Sequence, residues 1–392
     1  MSLSSRLRVV VACGAALSVL VACGGDDDDA PEAEPTEAEG TEGAEEPTPE
    51  LPELTEVTAG YVSAVDQMGV AVALDLGFYD ELNLDVTLAQ PFPTGVDALA
   101  ALEAGDIDFV QVGTPSIGAI NSGMDLVYLG NYTGSSSQLG IDETMAMVAR
   151  DDAGIDSDDL TTLAGKRIGV SVGSINHLYL LGILDELGMA ESEVEVVNTA
   201  PPDMGVALET DGLDAAIVWD PWPINITNSV EGTSEVIRGG GYIAFIGYII
   251  ALREYVEENP EAVEAFLTAR AAADHWMRQN PDEAADVVVR WIPGTELEVA
   301  QEAMQYNIVQ LDPRFSACNY LALDTTMQLL LEQEAIEATY DVNNHFVPEH
   351  ILNVMDARPD LFEDLPEVPD AAQITPDYTF DAGEASAACP AN

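Results

Sequence analysis

Basic residues are scarce in this sequence. Its 392 residues include 12 Lys and Arg against 71 Asp and Glu, a formal charge of −59, and Lys166 is the single lysine. A nucleic-acid-binding protein needs cationic side chains to neutralise phosphates, and attachment to an anionic membrane through a basic patch needs them too. The composition therefore argues against both partners. Because 47% of the residues are hydrophobic, disorder of the whole chain is excluded as well.

Residues that commonly build metal and catalytic sites are also few. The four histidines, at positions 177, 275, 345 and 350, stand in none of the spacings of known zinc motifs. The sequence contains neither a P-loop nor a GxGxxG motif. We therefore predict no metal and no cofactor. An extracellular enzyme remains an alternative, although no catalytic dyad is evident.

The N-terminus is typical of an export signal. Arg6 and Arg8 precede an apolar run at residues 9–22, which is shorter than the about 20 residues that a spanning helix needs. Residues 20–24 (LVACG) resemble the bacterial lipobox, in which the cysteine is lipidated and begins the mature chain. We predict a signal peptide at 1–22 and a lipid on Cys23 that holds the protein at the outer face of the cell membrane. An ordinary cleaved signal is the alternative.

Acidic residues crowd both ends of the mature chain. Residues 23–56 hold 14 acids and no base, and their Pro-, Glu- and Thr-rich composition predicts a disordered linker. Residues 359–392 hold eight acids and no base and are predicted to form an acidic C-terminal tail. The body, 57–358, still carries 49 acids against 10 bases. Such a body suits concentrated salt, which screens exposed carboxylates. An acidic extracellular protein from an ordinary habitat is the alternative.

Four cysteines leave one candidate disulfide. Cys13 departs with the signal peptide and Cys23 is lipidated. Cys318 and Cys389 remain in an oxidising compartment, where we predict that they pair and tie the acidic tail to the body. Two unrelated free thiols are the alternative.

The body alternates short apolar strands with helices. After residue 241, longer helical stretches follow at 261–277, 281–291, 297–309 and 321–335, and they are expected to cover the rest. The alternation predicts an α/β fold with a largely parallel sheet. Strands are predicted at 57–62, 84–88, 107–112, 126–129, 144–149, 168–172, 194–197 and 215–219.

Two turns that join a strand to a helix are candidate ligand sites, at residues 113–116 and 173–177. Each places small polar groups at a helix N-terminus, where free backbone N–H groups and the helix dipole favour an anion. Open α/β sheets bind ligands at this edge. Ordinary N-capping explains either turn taken alone. The candidate residues are Thr114, Ser116, Ser174, Asn176 and His177.

A third candidate is the run Trp-Asp-Pro-Trp-Pro that begins at Trp219. Asp220 between indole rings could hold an ammonium group by ion pairing and cation–π contact, and Tyr132 is a further aromatic candidate. A rigid turn whose tryptophans pack in the core is the alternative.

Five segments of the body occur together in a known order. They are ALDLGFY with NLDV (73–86), ALAAL with GDID (98–108), DL with GKRIGV (159–170), LDA with WDP (213–221) and NPEAV (259–263). Through these segments the chain resembles the substrate-binding proteins of ABC transporters, in the taurine/alkanesulfonate/nitrate, thiamine-precursor-like group. The likeness runs in register over residues 57–310. Within the group it is nearest to taurine-binding members, through residues 174–177 and 198–202.

The resemblance implies a two-lobed periplasmic-binding-protein fold of type II, in which a hinge closes two α/β lobes on a ligand. Residues 57–140 and 245–358 would form the first lobe and 141–244 the second, with crossings near 140–147 and 238–246.

The implied function is capture of a small anion or zwitterion and its delivery to an ABC permease by a monomeric, lipid-anchored protein. The polar residues of the two turns would hold the acidic end of the ligand and Asp220 an amine, while Trp219 and Tyr132 would line the wall. A binder of a thiamine precursor or another aromatic base is the alternative within the resemblance.

Overall fold

The computed structural model describes residues 53–390. The predicted signal peptide, Cys23 and all but the last four residues of the predicted linker lie outside the described residues. The described residues all belong to the unit Glu46–Asn392. Across residues 53–390, no helix combines the length and the apolar character that crossing a membrane requires.

The strands of residues 53–390 form two sheets of five. The first sheet has the order β2-β1-β3-β10-β4 and the second has the order β7-β6-β8-β5-β9. The strands are β1 (Thr55–Gly60), β2 (Leu84–Leu88), β3 (Phe109–Val112), β4 (Leu126–Thr133), β5 (Met145–Arg150), β6 (Arg167–Val170), β7 (Glu195–Asn198), β8 (Ala215–Trp219), β9 (Thr233–Arg238) and β10 (Gly247–Leu252).

The α-helices of the described residues cover both sheets. They are α1 (Gly69–Asp75), α2 (Gly95–Ala104), α3 (Pro115–Asn121), α4 (Ile175–Glu186), α5 (Pro201–Glu209), α6 (Trp222–Ser229), α7 (Arg253–Glu258), α8 (Pro260–Gln279), α9 (Pro281–Trp291), α10 (Leu297–Asn307), α11 (Ala317–Glu332), α12 (Glu349–Ala357) and α13 (Ala382–Ala388).

The long helices after residue 241 lie close to their predicted positions. Pro260 and Pro281 occupy the first positions of α8 and α9, where the missing N–H of proline costs no helical hydrogen bond. Helix α8 buries an apolar stripe that includes Phe266 and Leu267. Helix α10 ends at Asn307, and a short 3-10 turn follows it, so the predicted helix 297–309 is two residues too long.

Four strands of each sheet run in one direction, as the prediction of a largely parallel sheet expects, but one strand is reversed. In the first sheet β10 is antiparallel to β3 and β4, and in the second sheet β5 is antiparallel to β8 and β9. Each reversed strand is the first one after the chain crosses between the sheets. Because the preceding strand ends at the carboxyl edge of its sheet, the chain enters the next sheet from that sheet's own carboxyl edge and must run backwards.

The two crossings, 134–144 and 239–246, overlap the predicted ones and are tied to each other. The Asp142 carboxylate accepts hydrogen bonds from the backbone N–H groups of Gly241, at 2.8 Å, and Ile243, at 3.4 Å. The hydroxyl of Tyr179 donates to the carbonyl of Gly239 at 2.5 Å. The crossings therefore lie side by side, as in a two-segment hinge.

The C-terminal segment is not the solvated tail that its acidity suggests. Among residues 359–390, Leu361, Ala372 and Ala385 are buried, because apolar residues recur between the acids and pack on the body. The sulfur atoms of Cys318 and Cys389 lie 2.16 Å apart in a disulfide, so the structure joins the two cysteines that the sequence analysis pairs.

Arginines of the body also hold the C-terminal segment. Arg278 donates to the Asp364 carboxylate at 2.8 Å and to the Leu361 carbonyl at 2.8 Å. Arg314 donates to the Pro366 carbonyl at 2.7 Å. The pKa of Asp364 lies well below its usual range because Arg278 hydrogen bonds to its carboxylate. Two of the few bases of the chain thus donate hydrogen bonds to the C-terminal segment, which has no base of its own.

Candidate ligand-binding site

A cleft lies between the two sheets. Its wall is formed at the carboxyl edges of both sheets, where open α/β folds bind ligands. The first lobe contributes Val62, Ala64, Asp66, Gln67, Gly95, Val112, Gly113, Pro115 and Tyr132, the second contributes Ser174, Ile175 and Trp219, and the second crossing contributes Phe245.

The two predicted turns face each other across this cleft. Gly113 and Pro115 line it from the first lobe, and Ser174 and Ile175 line it from the second. The turns follow β3 and β6, so the sheet edges bring together two segments that are some sixty residues apart in the chain.

The turn at Ser174 is the better anion donor of the two. Ser174 is the N-cap residue of α4, a helix of 12 residues, and its hydroxyl caps no backbone amide of that helix. The first amides of a helix lack intrahelical acceptors and carry the positive end of the helix dipole. Ser174 and the amide edge of α4 can therefore hold a negatively charged group in the cleft.

The turn at Gly113 offers fewer donors. Pro115 has no N–H, and the Ser116 hydroxyl donates to the Gly113 carbonyl at 2.6 Å and lies 3.0 Å from the Tyr128 hydroxyl. Thr114 is buried and is not part of the cleft wall. This turn therefore shapes the wall, and the polar groups of Ser116 hold the turn together.

Asn176 and His177 contact their own lobe and do not line the cleft. The Asn176 side chain accepts from the Ser171 N–H at 3.2 Å and donates to the Ile217 carbonyl at 3.0 Å. His177 Nδ1 accepts from the Gly173 N–H at 3.2 Å, and its Nε2 lies 3.0 Å from the Glu191 carboxylate. Both side chains brace the turn that presents Ser174.

Residues 169–173 have the Gly-x-Ser-x-Gly spacing found in many serine hydrolases. Here the hydroxyl of the central Ser171 donates to the Thr199 carbonyl at 3.2 Å. The nearby His177 is occupied by Gly173 and Glu191. The hydrogen bonds therefore give this serine a structural role and no general base.

Trp219 and Asp220 separate at the end of β8. Trp219 lines the cleft. Asp220 is 1% exposed, and its carboxylate accepts from Arg238 at 3.0 Å and from Asn307 at 3.1 Å. Burial raises the pKa of Asp220 to about 7 against the opposing pull of Arg238. Because these partners fill its coordination, Asp220 is not placed to take an amine from the cleft.

Asp66 is the cleft carboxylate that the sequence analysis missed. It follows β1 in a short 3-10 turn, lines the cleft and is 4% exposed. Burial raises its pKa to about 7, while a hydrogen bond from Thr133 and the charge of Arg270 oppose that rise. The position of Asp66 just beyond the first strand was the available signal, since loops at this edge of the sheet carry ligand residues.

Aromatic rings form much of the remaining wall. Tyr132, Trp219 and Phe245 line the cleft and are nearly buried. Burial raises the pKa of Tyr132 well above its ordinary value, and the neighbouring Asp66 charge adds to the effect. Tyr132 therefore stays neutral, and it contributes an aromatic side chain to the cleft wall.

Hydrogen bonds near the cleft join the two lobes directly. The indole N–H groups of Trp219 and Trp222 both donate to the Ser63 carbonyl, at 3.1 and 3.0 Å. The Val65 N–H donates to the Asp220 carbonyl at 3.2 Å. These bonds cross from the loop after β1 to the end of β8, so they form only when the lobes are together.

Within residues 53–390 no group of three or more His, Cys, Asp or Glu side chains is arranged to hold a metal ion.

Two sheets with one reversed strand each, a double crossing and a cleft between the sheets define a two-lobed α/β binding-protein fold of the periplasmic type. The chain belongs to the NMT1/THI5-like family, whose model matches residues 64–284. The resemblance identified in the sequence and the predicted fold class are both confirmed.

Known proteins are similar over the same region. The taurine-binding periplasmic protein of Escherichia coli K12 is 26% identical over 233 residues, which cover 57% of this chain and 67% of that protein. The alkanesulfonate-binding protein SsuA of Xanthomonas axonopodis, solved with MOPS, has a TM-score of 0.67 and 21% identity over 76% of this chain and 99% of that one. The nitrate-binding protein NrtA of Synechocystis has a TM-score of 0.65 and 15% identity over 80% and 92% of the two chains.

Proposed function

We propose that this protein is the solute-binding component of an ABC importer and captures a small sulfonate-like or zwitterionic molecule. The observation that carries the proposal is the buried cleft at the carboxyl edges of two joined lobes, with Ser174 and the N-terminus of α4 facing it. Relatives named for taurine and for alkanesulfonates support the same ligand class.

In this proposal Ser174 and the first amides of α4 hold the acidic end of the ligand. Tyr132 and Trp219 form the walls, and the turn at Gly113 limits the size of the molecule. Closure of the lobes buries the ligand and creates the surface that a permease reads. A binding role without turnover agrees with the structural use of Ser171 and His177.

The proposed location is outside the cytoplasm, with the chain held to the membrane by a lipid on Cys23 and acting as a monomer. The lipobox-like residues 20–24 support the anchor. Mass spectrometry of the mature N-terminus tests it, because a chain that begins at any residue other than a modified Cys23 contradicts the anchor.

A second candidate ligand is an aromatic nitrogenous base such as a thiamine precursor. The observation that favours it is the set of three aromatic residues in the cleft wall, Tyr132, Trp219 and Phe245. These rings would stack on the base, whereas a small sulfonate needs fewer apolar contacts.

Isothermal calorimetry with taurine, ethanesulfonate, nitrate and a 4-aminopyrimidine tests the function. We expect saturable binding of a sulfonate and a loss of about 10-fold in affinity for Ser174→Ala, the size of one hydrogen bond to a charged group. Binding of sugars or peptides alone would falsify the proposal.

A further inference from the structure

The described part of the cleft wall contains one acidic side chain and no basic one. Among the described residues that form its wall, Asp66 is the single ionisable acid, and none is Lys, Arg or His. A simple anion such as nitrate or an alkanesulfonate would therefore meet helix amides on one side and a carboxylate on the other. The helix amides would attract the negative charge of such an anion, and the carboxylate would repel it.

We propose that Asp66 is the specificity-determining residue of the cleft and selects ligands that carry a positively charged nitrogen. The inference rests on the proposed function and deepens it. It names the ligand class as a molecule with a cationic nitrogen, and an aminosulfonate zwitterion fits both ends of the site.

The charges behind Asp66 do not cancel its carboxylate. Arg270 is fully buried and lies within electrostatic range of Asp66. However, the guanidinium of Arg270 already pairs with the Asp274 carboxylate at 2.6 Å. The charge of Arg270 is thus shared between Asp66 and the directly paired Asp274.

The cleft walls beside Asp66 also favour a positively charged group of the ligand. Tyr132 and Trp219 present aromatic rings to the cleft, and aromatic faces attract cations through their quadrupole. A buried site also excludes the water that would otherwise screen the ion pair. Carboxylate, rings and burial together form a pocket for an ammonium or a protonated ring nitrogen.

Asp66 and Ser174 belong to opposite lobes. A molecule whose cationic end contacts Asp66 and whose acidic end contacts Ser174 therefore spans the cleft. Each end adds its contact only when the lobes are together, so a zwitterion stabilises closure more than a ligand with one charged end.

Asp220 serves as the matched comparison for Asp66. Both are buried aspartates at the carboxyl edge of a sheet. The difference is that Asp220 is bound by Arg238 and Asn307, whereas Asp66 borders the cleft. Replacing each by asparagine keeps the shape and removes the charge, so the pair separates a ligand contact from a structural one.

Calorimetry of the whole protein with three probes tests the inference. Taurine and isethionate have the same sulfonate and chain length, but isethionate carries a hydroxyl where taurine carries an ammonium. A protonated 4-aminopyrimidine provides the cationic nitrogen without the sulfonate. We expect the wild-type protein to bind taurine about 10- to 100-fold more tightly than isethionate. In Asp66→Asn this ratio should collapse towards one, and in Asp220→Asn it should persist.

The outcomes separate the two proposals. Equal binding of taurine and isethionate to the wild type, or an unchanged ratio in Asp66→Asn, overturns the role of Asp66 and leaves the solute-binding function intact. Preference for the aminopyrimidine supports Asp66 with a cationic base as the ligand, while preference for taurine supports the zwitterion. If none of the three probes binds, the proposed function fails and the inference fails with it. The wild-type ratio needs no variant to fold.

Discussion

Replacing Trp222 by phenylalanine should weaken ligand binding although Trp222 is not part of the cleft wall. Its indole N–H donates to the Ser63 carbonyl at 3.0 Å, and this bond joins the second lobe to the first. Phenylalanine keeps an aromatic ring but removes the donor. The Ser63 carbonyl retains its other bond, from Trp219 at 3.1 Å.

The size of the effect follows from one lost hydrogen bond between neutral groups. Such a bond contributes about 1 kcal/mol net, which corresponds to a factor of about five in an equilibrium constant. The substitution destabilises the closed state and not the open state, because only the closed state contains this hydrogen bond. If the ligand is held by the closed state, its Kd should rise about fivefold, and most of the change should appear in the dissociation rate.

The assay is calorimetry with taurine together with stopped-flow dissociation, and Trp291→Phe is the control. The Trp291 indole also donates a hydrogen bond, to the Asp75 carboxylate at 3.2 Å, but both residues belong to the first lobe. This variant should lose thermal stability and keep its Kd. An unchanged Kd in Trp222→Phe, or an equal loss in Trp291→Phe, refutes the reasoning about closure.

Two further predictions concern the disulfide and the cleft carboxylate. Replacing Cys318 and Cys389 by alanine opens a loop with a sequence separation of 71 and should lower the free energy of unfolding by about 4 kcal/mol in the chain-entropy model. Urea unfolding measures this, and equal stability with and without reductant contradicts it. Burial raises the pKa of Asp66 to about 7, so its carboxyl is mostly protonated at pH 6 and mostly ionised at pH 8. Taurine's ammonium binds the ionised form, so its Kd should fall about tenfold over this range. The dependence should vanish in Asp66→Asn, and a flat profile in the wild type contradicts the assignment. Tyr132, the neighbouring tyrosine of the cleft wall, stays neutral throughout because its pKa lies well above its ordinary value.

Local patterns were enough to predict most elements of the fold. The short apolar runs at 57–62, 107–112 and 215–219 correspond to β1, β3 and β8, since period and turn residues act within a few positions of the chain. The proline-started helices α8 and α9 were predicted to within two residues, because Pro260 and Pro281 define the first helical position by their own covalent geometry.

The C-terminal segment shows where composition misleads. Residues 359–392 contain eight acids and no base, which predicts a solvated tail. The structure packs residues 359–390 on the body because apolar residues of the segment are buried there and because Arg278, far away in the chain, pairs with Asp364. Net charge over a window of sequence does not include such partners.

The sequence by itself determined the strands β1 to β8, the long helices α8 to α11, the family and the two turns that became opposite walls of a cleft, but not the strands β9 and β10. The tertiary structure decided the use of each polar side chain. Asp220 belongs to a conspicuous motif, yet Arg238 pairs with it and Asn307 hydrogen bonds to it, while the inconspicuous Asp66 lies at the cleft. The reason is physical: a carboxylate that pairs directly with an arginine is not available to a ligand, whereas the hydrogen bond of Asp66 comes from the neutral Thr133 side chain. Which partner a carboxylate acquires depends on residues that approach through folding.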